Sequence, residues 1–505
     1  MLDSRNSPDS IVIVGGGSAG WMAANLFIHS WPRTKITLIE SQDIGTIGVG
    51  EGSTPYLKSF FNQLGIKDCE WMPKCNATYK AGIRFPSWSQ IDGYTSYFHP
   101  FYSQLDLNTG DEFFKRCLQK KTGEANSVHP DDYFVAEKIA AYGKAPIENK
   151  KLPFDVDYGY HFDAGLLGAY LKKLAISKGL KHLVGNVNEV VIGEEGGIKQ
   201  LNTSVGTLIA DVYVDCTGFA GLLINKALKV EFKSYSGSLL NDSAVTVATD
   251  MSDRELIPAE TCSTALHNGW IWRIPLVNRY GNGYVYSSSF VSSDDAEVEM
   301  LRHLKLDKVN HPECKHIKMK VGRNASHWEK NCIAVGLSQG FIEPLEATAL
   351  MLTQFTIEKF IENYSSEEIE VNVRRENFNS KVNMLIEGVR DYVQAHYLLN
   401  SRSDTEYWKA CREDAKISSR LESIVAAWDV GELDLALESL TGKLAYLRPS
   451  WYVMLSGMGR FSLLDQKNDS RDVSREKAAN YCRQIAQTVF QDHRTLLSRY
   501  SNNAK

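Results

Sequence analysis

No apolar run in this sequence approaches the length that spans a bilayer. Its start, "MLDSRNSPDS", is polar and acidic and passes straight into a strand at Ile11, so it does not read as a secretory leader. No block of lysine or arginine is long enough to make a basic arm, and a formal net charge of −5 carries no global footprint for nucleic acid. The nine cysteines include no CxxC pair, so they spell neither a zinc site nor a disulfide framework. Together these absences predict a soluble, cytoplasmic globular protein with reduced thiols, no metal, no nucleic-acid partner and no membrane. What the chain does have is length and aromatic mass. Its 505 residues, with 23 Tyr and 10 Trp, suffice for two or three domain-sized units and a large core.

The opening segment alternates strand and helix. "SIVIVGGGSAGWMAANLFIHSW" is an apolar strand, a glycine turn and a helix, and "KITLIE" (35–40) is a second strand, which makes the βαβ unit of a doubly wound sheet. A helix is expected in "YHFDAGLLGAYLKKLAISKG" (160–179), and "ADVYVDCTGFAG" (210–221) reads as a strand running into a glycine-rich turn. Between 243 and 290 the alternation of "SAVTVATDM", "WIWRIPL" and "GYVYSSSF" predicts an antiparallel sheet beside the nucleotide fold. From about 350 the pattern is helical. Phe378, Val382, Leu385, Val389, Tyr392 and His396 form one helix face, on which His396 reads as a packed or surface-tipped residue rather than a ligand. An interruption is expected at "YLRPSWYVMLSGMG" (446–459). The fold class is therefore α/β: a doubly wound, dinucleotide-binding module over 1–350, with a substrate-side sheet inserted at about 243–325, and a mostly helical region over 351–505 packed on it.

Gly15, Gly17 and Gly20 stand in G-x-G-x-x-G spacing after a strand and opening a helix. The first permits the turn, the second lets a pyrophosphate approach the backbone at Ser18 and Ala19, and the third allows tight helix–strand packing. Glu40 ends the second strand, where a carboxylate accepts hydrogen bonds from ribose hydroxyls. Two further features favour FAD over a nicotinamide. One is a second glycine-rich turn containing Gly50, "IGVGEGSTPYL" (47–57); the other is "DCTGFAG" (215–221), with Asp215 and Gly218. Asp215 is equally open to being an ordinary strand-end cap.

Taken in order, "GGGSAGW", "GVGEGSTP", "YKAGIRF", "YHFDAGLL", "DCTGFAGLLI", "WIWRIP", "GYVYSS", "GLSQGFIEPLEAT" (which opens at Gly336) and "RDYVQAHYLLN" resemble the flavin-dependent halogenases of the tryptophan-halogenase type over about residues 10 to 400. The double tryptophan before Ile-Pro is the distinctive motif. The resemblance implies a hydroxylase-like, glutathione-reductase-like FAD fold and an enzyme fed with reduced FAD by a separate NAD(P)H-dependent flavin reductase. Dioxygen and a halide (chloride, bromide or iodide) then give hypohalous acid, which passes through a tunnel to an electron-rich, indole-like or phenolic substrate. A homodimer is one assembly such an enzyme would form.

By motif position the tunnel-end lysine is Lys80 and the acid–base partner Glu346. An ammonium can polarise the acid by hydrogen bonding, while a haloamine would need a neutral lysine of lowered pKa. Alone, Lys80 would read as a solvated lysine and Glu346 as an acid favoured by a helix N-terminus. Glu343 lies in the same turn, but the motif gives the role to Glu346. The halide is implied against the amides of Thr348 and Ala349, where the family pattern is Thr-Gly; a glycine requiring positive φ there would leave Ala349 strained. Trp270, Trp272 and Pro275 are expected to line the tunnel, and His99 and Phe101 to flank the substrate ring, although two aromatics in an ordinary loop would look the same. Trp451 and Tyr452 fall where enzymes of free tryptophan clamp the amino acid, but no acidic partner follows them. A flavin monooxygenase and a non-catalytic FAD-binding protein remain as alternatives.

Overall fold

The run Ile11–Val14 is apolar without alternation because its strand is covered on both faces. A computed structural model, which describes residues 7–42, 50–122, 128–149, 151–251, 256–307, 312–366, 369–461 and 472–503, places that strand near the middle of a six-stranded sheet. Of the second glycine-rich turn, residues 47–49 lie outside this description, as do the first six residues of the chain. The strand order is Trp328–Glu329, Cys332–Ala334, Val212–Asp215, Ser10–Val14, Lys35–Glu40, Lys181–Val184. All neighbours are parallel except the Trp328–Glu329 edge pair. Helix Ser18–Ser30 leaves the central strand through the glycine turn and packs on helices Ala164–Ser177 and Ala349–Tyr364.

A second sheet has seven strands in the order Lys315–Lys318, Ser243–Asp250, Arg279–Tyr286, Gly269–Pro275, Glu260–Ala265, Gly82–Pro86, Ser96–Pro100. It is antiparallel where the alternation predicted, and it is extended by two strands from near residue 90, the first of which pairs in parallel with Glu260–Ala265. A small antiparallel sheet of Glu51–Gly52, Gly159–Phe162 and Thr78–Lys80 carries Lys80 and touches the seven-stranded sheet at Glu260–Ala265.

From Ala349 onward the regular elements among the described residues are helices apart from the short strand Phe490–Asp492, which pairs with Lys144–Glu148. In the long helix Val371–Leu399 the buried stripe runs through Phe378, Val382, Ile386, Val389, Tyr392 and His396; Ile386 takes the place expected of Leu385. The expected interruption at 446–459 is instead mostly a helix, Arg448–Gly457, with Pro449 in its first turn, where the missing N–H breaks no helical bond. No described helix is long and apolar enough to cross a membrane.

Candidate active site

The glycine turn is shaped by what surrounds it. Gly15 has φ +113°, and a Cβ there would stand 2.1 Å from the carbonyl oxygen of Cys216, so only glycine fits. A Cβ on Gly20 would stand 2.0 Å from the carbonyl oxygen of Gly15, which is the close helix–strand contact. Gly17 is different: nothing lies within 4 Å of its Cβ position, because it opens onto a cavity of about 660 Å³. The amides that start helix Ser18–Ser30 border that space with no acidic residue in the first turn, the arrangement that suits an anion. Glu40 also lines it, its Oε1 2.7 Å from Lys172 Nζ and 2.8 Å from His182 Nε2. Ser18, Ala19, Gly50, Gly218 and Gly336 border the same cavity.

Asp215 does not border it. Its carboxylate accepts from Thr217 N and Oγ1 and from the amides of Leu223 and Ile224, so it organises the turn that follows. That turn in turn places Thr217 and Gly218 on the cavity wall.

The same cavity also reaches Lys80. The strand Thr78–Lys80 is buried throughout, and Lys80 Nζ finds no hydrogen-bond partner among the described residues. Burial pulls its pKa down to about 7, with Glu346 pulling the other way. The Phe101 ring centre lies 5.5 Å from Nζ.

Glu346 ends a short turn, Pro344–Glu346, directly before helix Ala349–Tyr364. The left-handed residue here is Ala347, φ +55°, so the chain reverses two residues earlier than feared and Ala349 sits unstrained in the first helical turn. The Thr348 and Ala349 amides therefore belong to the N-terminus of a helix, where amides lack intrahelical partners. Ala347 and Ala349 face the cavity, whereas Thr348 is buried behind it.

Each carboxylate oxygen of Glu346 faces a histidine. Oε1 lies 3.0 Å from His396 Nε2, and Oε2 lies 3.9 Å from His99 Nδ1. Burial would raise the Glu346 pKa, but His99, His396 and Lys80 hold it below its ordinary value. His99 is itself held low, mainly by burial. Tyr392 anchors both rings, its carbonyl 3.0 Å from His396 Nδ1 and its hydroxyl 2.9 Å from His99 Nε2. Tyr446 stacks on Tyr392 with ring centres 3.6 Å apart, and Trp451 meets Tyr392 edge-on at 5.0 Å.

The structure thus brings together Lys80, Phe101, His99, Glu346 and, through Tyr392, Trp451. It leaves Tyr452 elsewhere, packed on Phe114 and Trp428. Glu343 also turns away, accepting from Tyr397 and from Asn241 Nδ2, and burial pushes its pKa up to about 7. Trp270 and Trp272 share a strand face with ring centres 6.0 Å apart. Trp272 borders the cavity, while Trp270 is buried behind it and Pro275 ends the strand off the wall. His396, Tyr392 and Tyr446 are the site residues that periodicity missed. His396 lies on a regular helix face, and only its presence in "RDYVQAHYLLN" set it apart.

The family model described as tryptophan halogenase matches residues 10–469. The tryptophan 6-halogenase of Streptomyces toxytricini is 36% identical over 456 residues, covering 85% of both chains. The tryptophan 7-halogenase of Lentzea aerocolonigenes is 34% identical over 487 residues, covering 89% of both. Among solved structures, a tryptophan C-6 flavin-dependent halogenase of taromycin biosynthesis superposes with a TM-score of 0.85 at 33% identity, covering 98% of this chain and all of that one.

Proposed function

The chain belongs to the tryptophan halogenase family, a family of flavin-dependent, oxidoreductase-type enzymes, and from that premise we propose that it halogenates an electron-rich, indole-like or phenolic ring with hypohalous acid through Lys80. The observation that carries this reading is a single cavity. Its wall includes both an open, glycine-lined anion cradle and a buried lysine that has no hydrogen-bond partner among the described residues.

The residues present fit FAD. The space over Gly17 and the amides at Ser18 and Ala19 would take the pyrophosphate, Glu40 would take a ribose, and Gly50, Gly218 and Gly336 would border the rest. When bound and reduced by a separate flavin reductase, with dioxygen and halide, the cofactor supplies hypohalous acid. The amides of Thr348 and Ala349 would hold the halide, chloride or bromide, at the helix N-terminus.

Lys80, as the ammonium, donates a hydrogen bond to the oxygen of the acid and polarises the O–X bond. Attack by the ring forms the C–X bond and breaks O–X; the departing hydroxide takes a proton from Lys80 and leaves as water. Glu346 removes the ring proton, the electron pair returns to the ring, and the proton passes back to Lys80. His99, Phe101 and Trp451 would bound the ring by edge and face contacts.

The two halogenases from Streptomyces toxytricini and Lentzea aerocolonigenes are named for tryptophan. Here Tyr452 is packed away from the site, which supports a ring held without a clamp on a free amino acid. The test supplies the protein with a flavin reductase, NADH, bromide or chloride, and a set of indoles and phenols, and reads product masses. Halogenated product supports the proposal; hydroxylated product alone would replace it with a monooxygenase.

A further inference from the structure

A line of buried groups outside the catalytic set ends at the wall of the cavity. Thr78 Oγ1 lies 2.7 Å from the carbonyl oxygen of Pro275 and 3.1 Å from His161 Nδ1. His161 Nε2 in turn lies 2.9 Å from Thr261 Oγ1. Thr78, His161 and Thr261 are all buried. A carbonyl only accepts, so the hydroxyl proton of Thr78 goes to Pro275, and Thr78 Oγ1 must accept from His161. That places the ring proton on Nδ1. Burial, reinforced by Lys80 and His493, holds the His161 pKa well below its ordinary value, so the ring is neutral and Nε2 is an acceptor. Thr261 is therefore the donor of the last link. Its one proton is committed to His161, and its remaining lone pairs are free.

Thr261 borders the cavity beside Gly52, Lys80 and Ala347. A methyl placed on Gly52 would stand 3.4 Å from Thr261 Oγ1, 3.5 Å from Lys80 Nζ and 3.6 Å from Ala347 Cβ. The glycine thus leaves open one small space flanked by an oxygen that can only accept and by an unpartnered nitrogen that can donate.

We propose that Thr261 binds the hypohalous acid: the O–H of the acid donates to Thr261 Oγ1 while its oxygen accepts from Lys80 Nζ. The reagent, one donor and one acceptor on a single oxygen, matches the two groups. Thr78, His161 and the carbonyl of Pro275 are positioning residues that keep the Thr261 proton turned away. The inference rests on the role given to Lys80 above, and it gives the proline after the double tryptophan a task at a distance.

The test compares wild type, Thr261→Val and Thr261→Ser with reductase, NADH, bromide and an indole, reading brominated indole per NADH consumed and free hypobromous acid with a diketone trap. Thr261→Val is expected to lose at least fivefold in product per NADH and to release more acid to the trap, while the protein stays folded with a melting temperature lowered by a few degrees at most and reduced flavin is still oxidised. Thr261→Ser is expected to restore coupling. Unchanged coupling in Thr261→Val, or loss in both variants alike, would overturn the role. Absence of bromination by wild type would instead remove the reading beneath it, and this inference with it. Independently of turnover, 15N NMR of the full chain should find His161 neutral with its proton on Nδ1 across pH 6–9; a proton on Nε2 would refute the ordering.

Discussion

Glu346 and His396 face each other across 3.0 Å in the buried interior, Oε1 to Nε2. His396 Nδ1 lies 3.0 Å from the carbonyl of Tyr392, which can only accept, so Nδ1 carries a proton. The other oxygen, Oε2, lies 3.9 Å from His99 Nδ1, so each carboxylate oxygen has an imidazole opposite it. In the proposed reaction Glu346 is the base that takes the ring proton.

Glu346→Gln keeps the shape and removes the base, so the rate of halogenation should fall on the order of 10²-fold or more with little change in KM for the aromatic. His396→Phe should fall less far, and His396→Gln, which keeps a polar side chain at that position, should recover part of the loss. Steady-state rates on one indole decide it; equal rates for all three variants and wild type would take Glu346 out of the chemistry.

In the proposed role, Lys80 should set the pH dependence. Its pKa in the folded protein is about 7, against 10.5 when exposed, because burial penalises the ammonium. As an active ammonium it should make halogenation decline about tenfold per pH unit above that value, while oxidation of reduced flavin follows a separate curve. A rate that rises through pH 7 would favour the haloamine instead. Stability carries the same signature. Between about 7 and 10.5 the unfolded chain binds a proton that the folded one lacks, so this group makes the protein more stable as pH rises, by up to about 1.4 kcal/mol per unit. Lys80→Met should be more stable than wild type near pH 7, by a margin that shrinks toward pH 10 in thermal melts.

The two tryptophans should separate by experiment. Trp272 borders the cavity, so Trp272→Ala should widen the passage and raise peroxide released per NADH while the protein stays folded. Trp270 is buried at 1% exposure, and Trp270→Ala should cost about 3–5 kcal/mol of stability through the void it leaves. Peroxide assays and denaturant titrations read the two effects; identical behaviour of both variants would dissolve the distinction.

The nucleotide half was legible because its constraints are local. Gly15, Gly17 and Gly20 must sit at fixed offsets from a strand end, and Glu40 closes the next strand, so spacing alone recovers them. The alternation of 243–290 likewise marked an antiparallel sheet, since period two is a property of the strand itself. Asp215 looked like a cofactor ligand, yet its oxygens are taken by the following turn. Strand-end acids cap turns for the same reasons that they bind ligands. His396 was hidden because a buried helix face looks the same in sequence whether it meets leucines or a carboxylate. The concern over Ala349 misplaced the reversal. The turn inverts at Ala347, and which residue of a tight turn takes positive φ is settled by what the helix behind it must face.

The most direct test of the account is the yield of brominated indole per NADH for Lys80→Ala beside wild type, with a flavin reductase, bromide and oxygen supplied to both. Removing the ammonium that borders the cavity should lower that yield on the order of 10²-fold or more while reduced flavin is still oxidised and hypobromous acid still reaches a trap. A Lys80→Ala protein that brominates indole as well as wild type would contradict it.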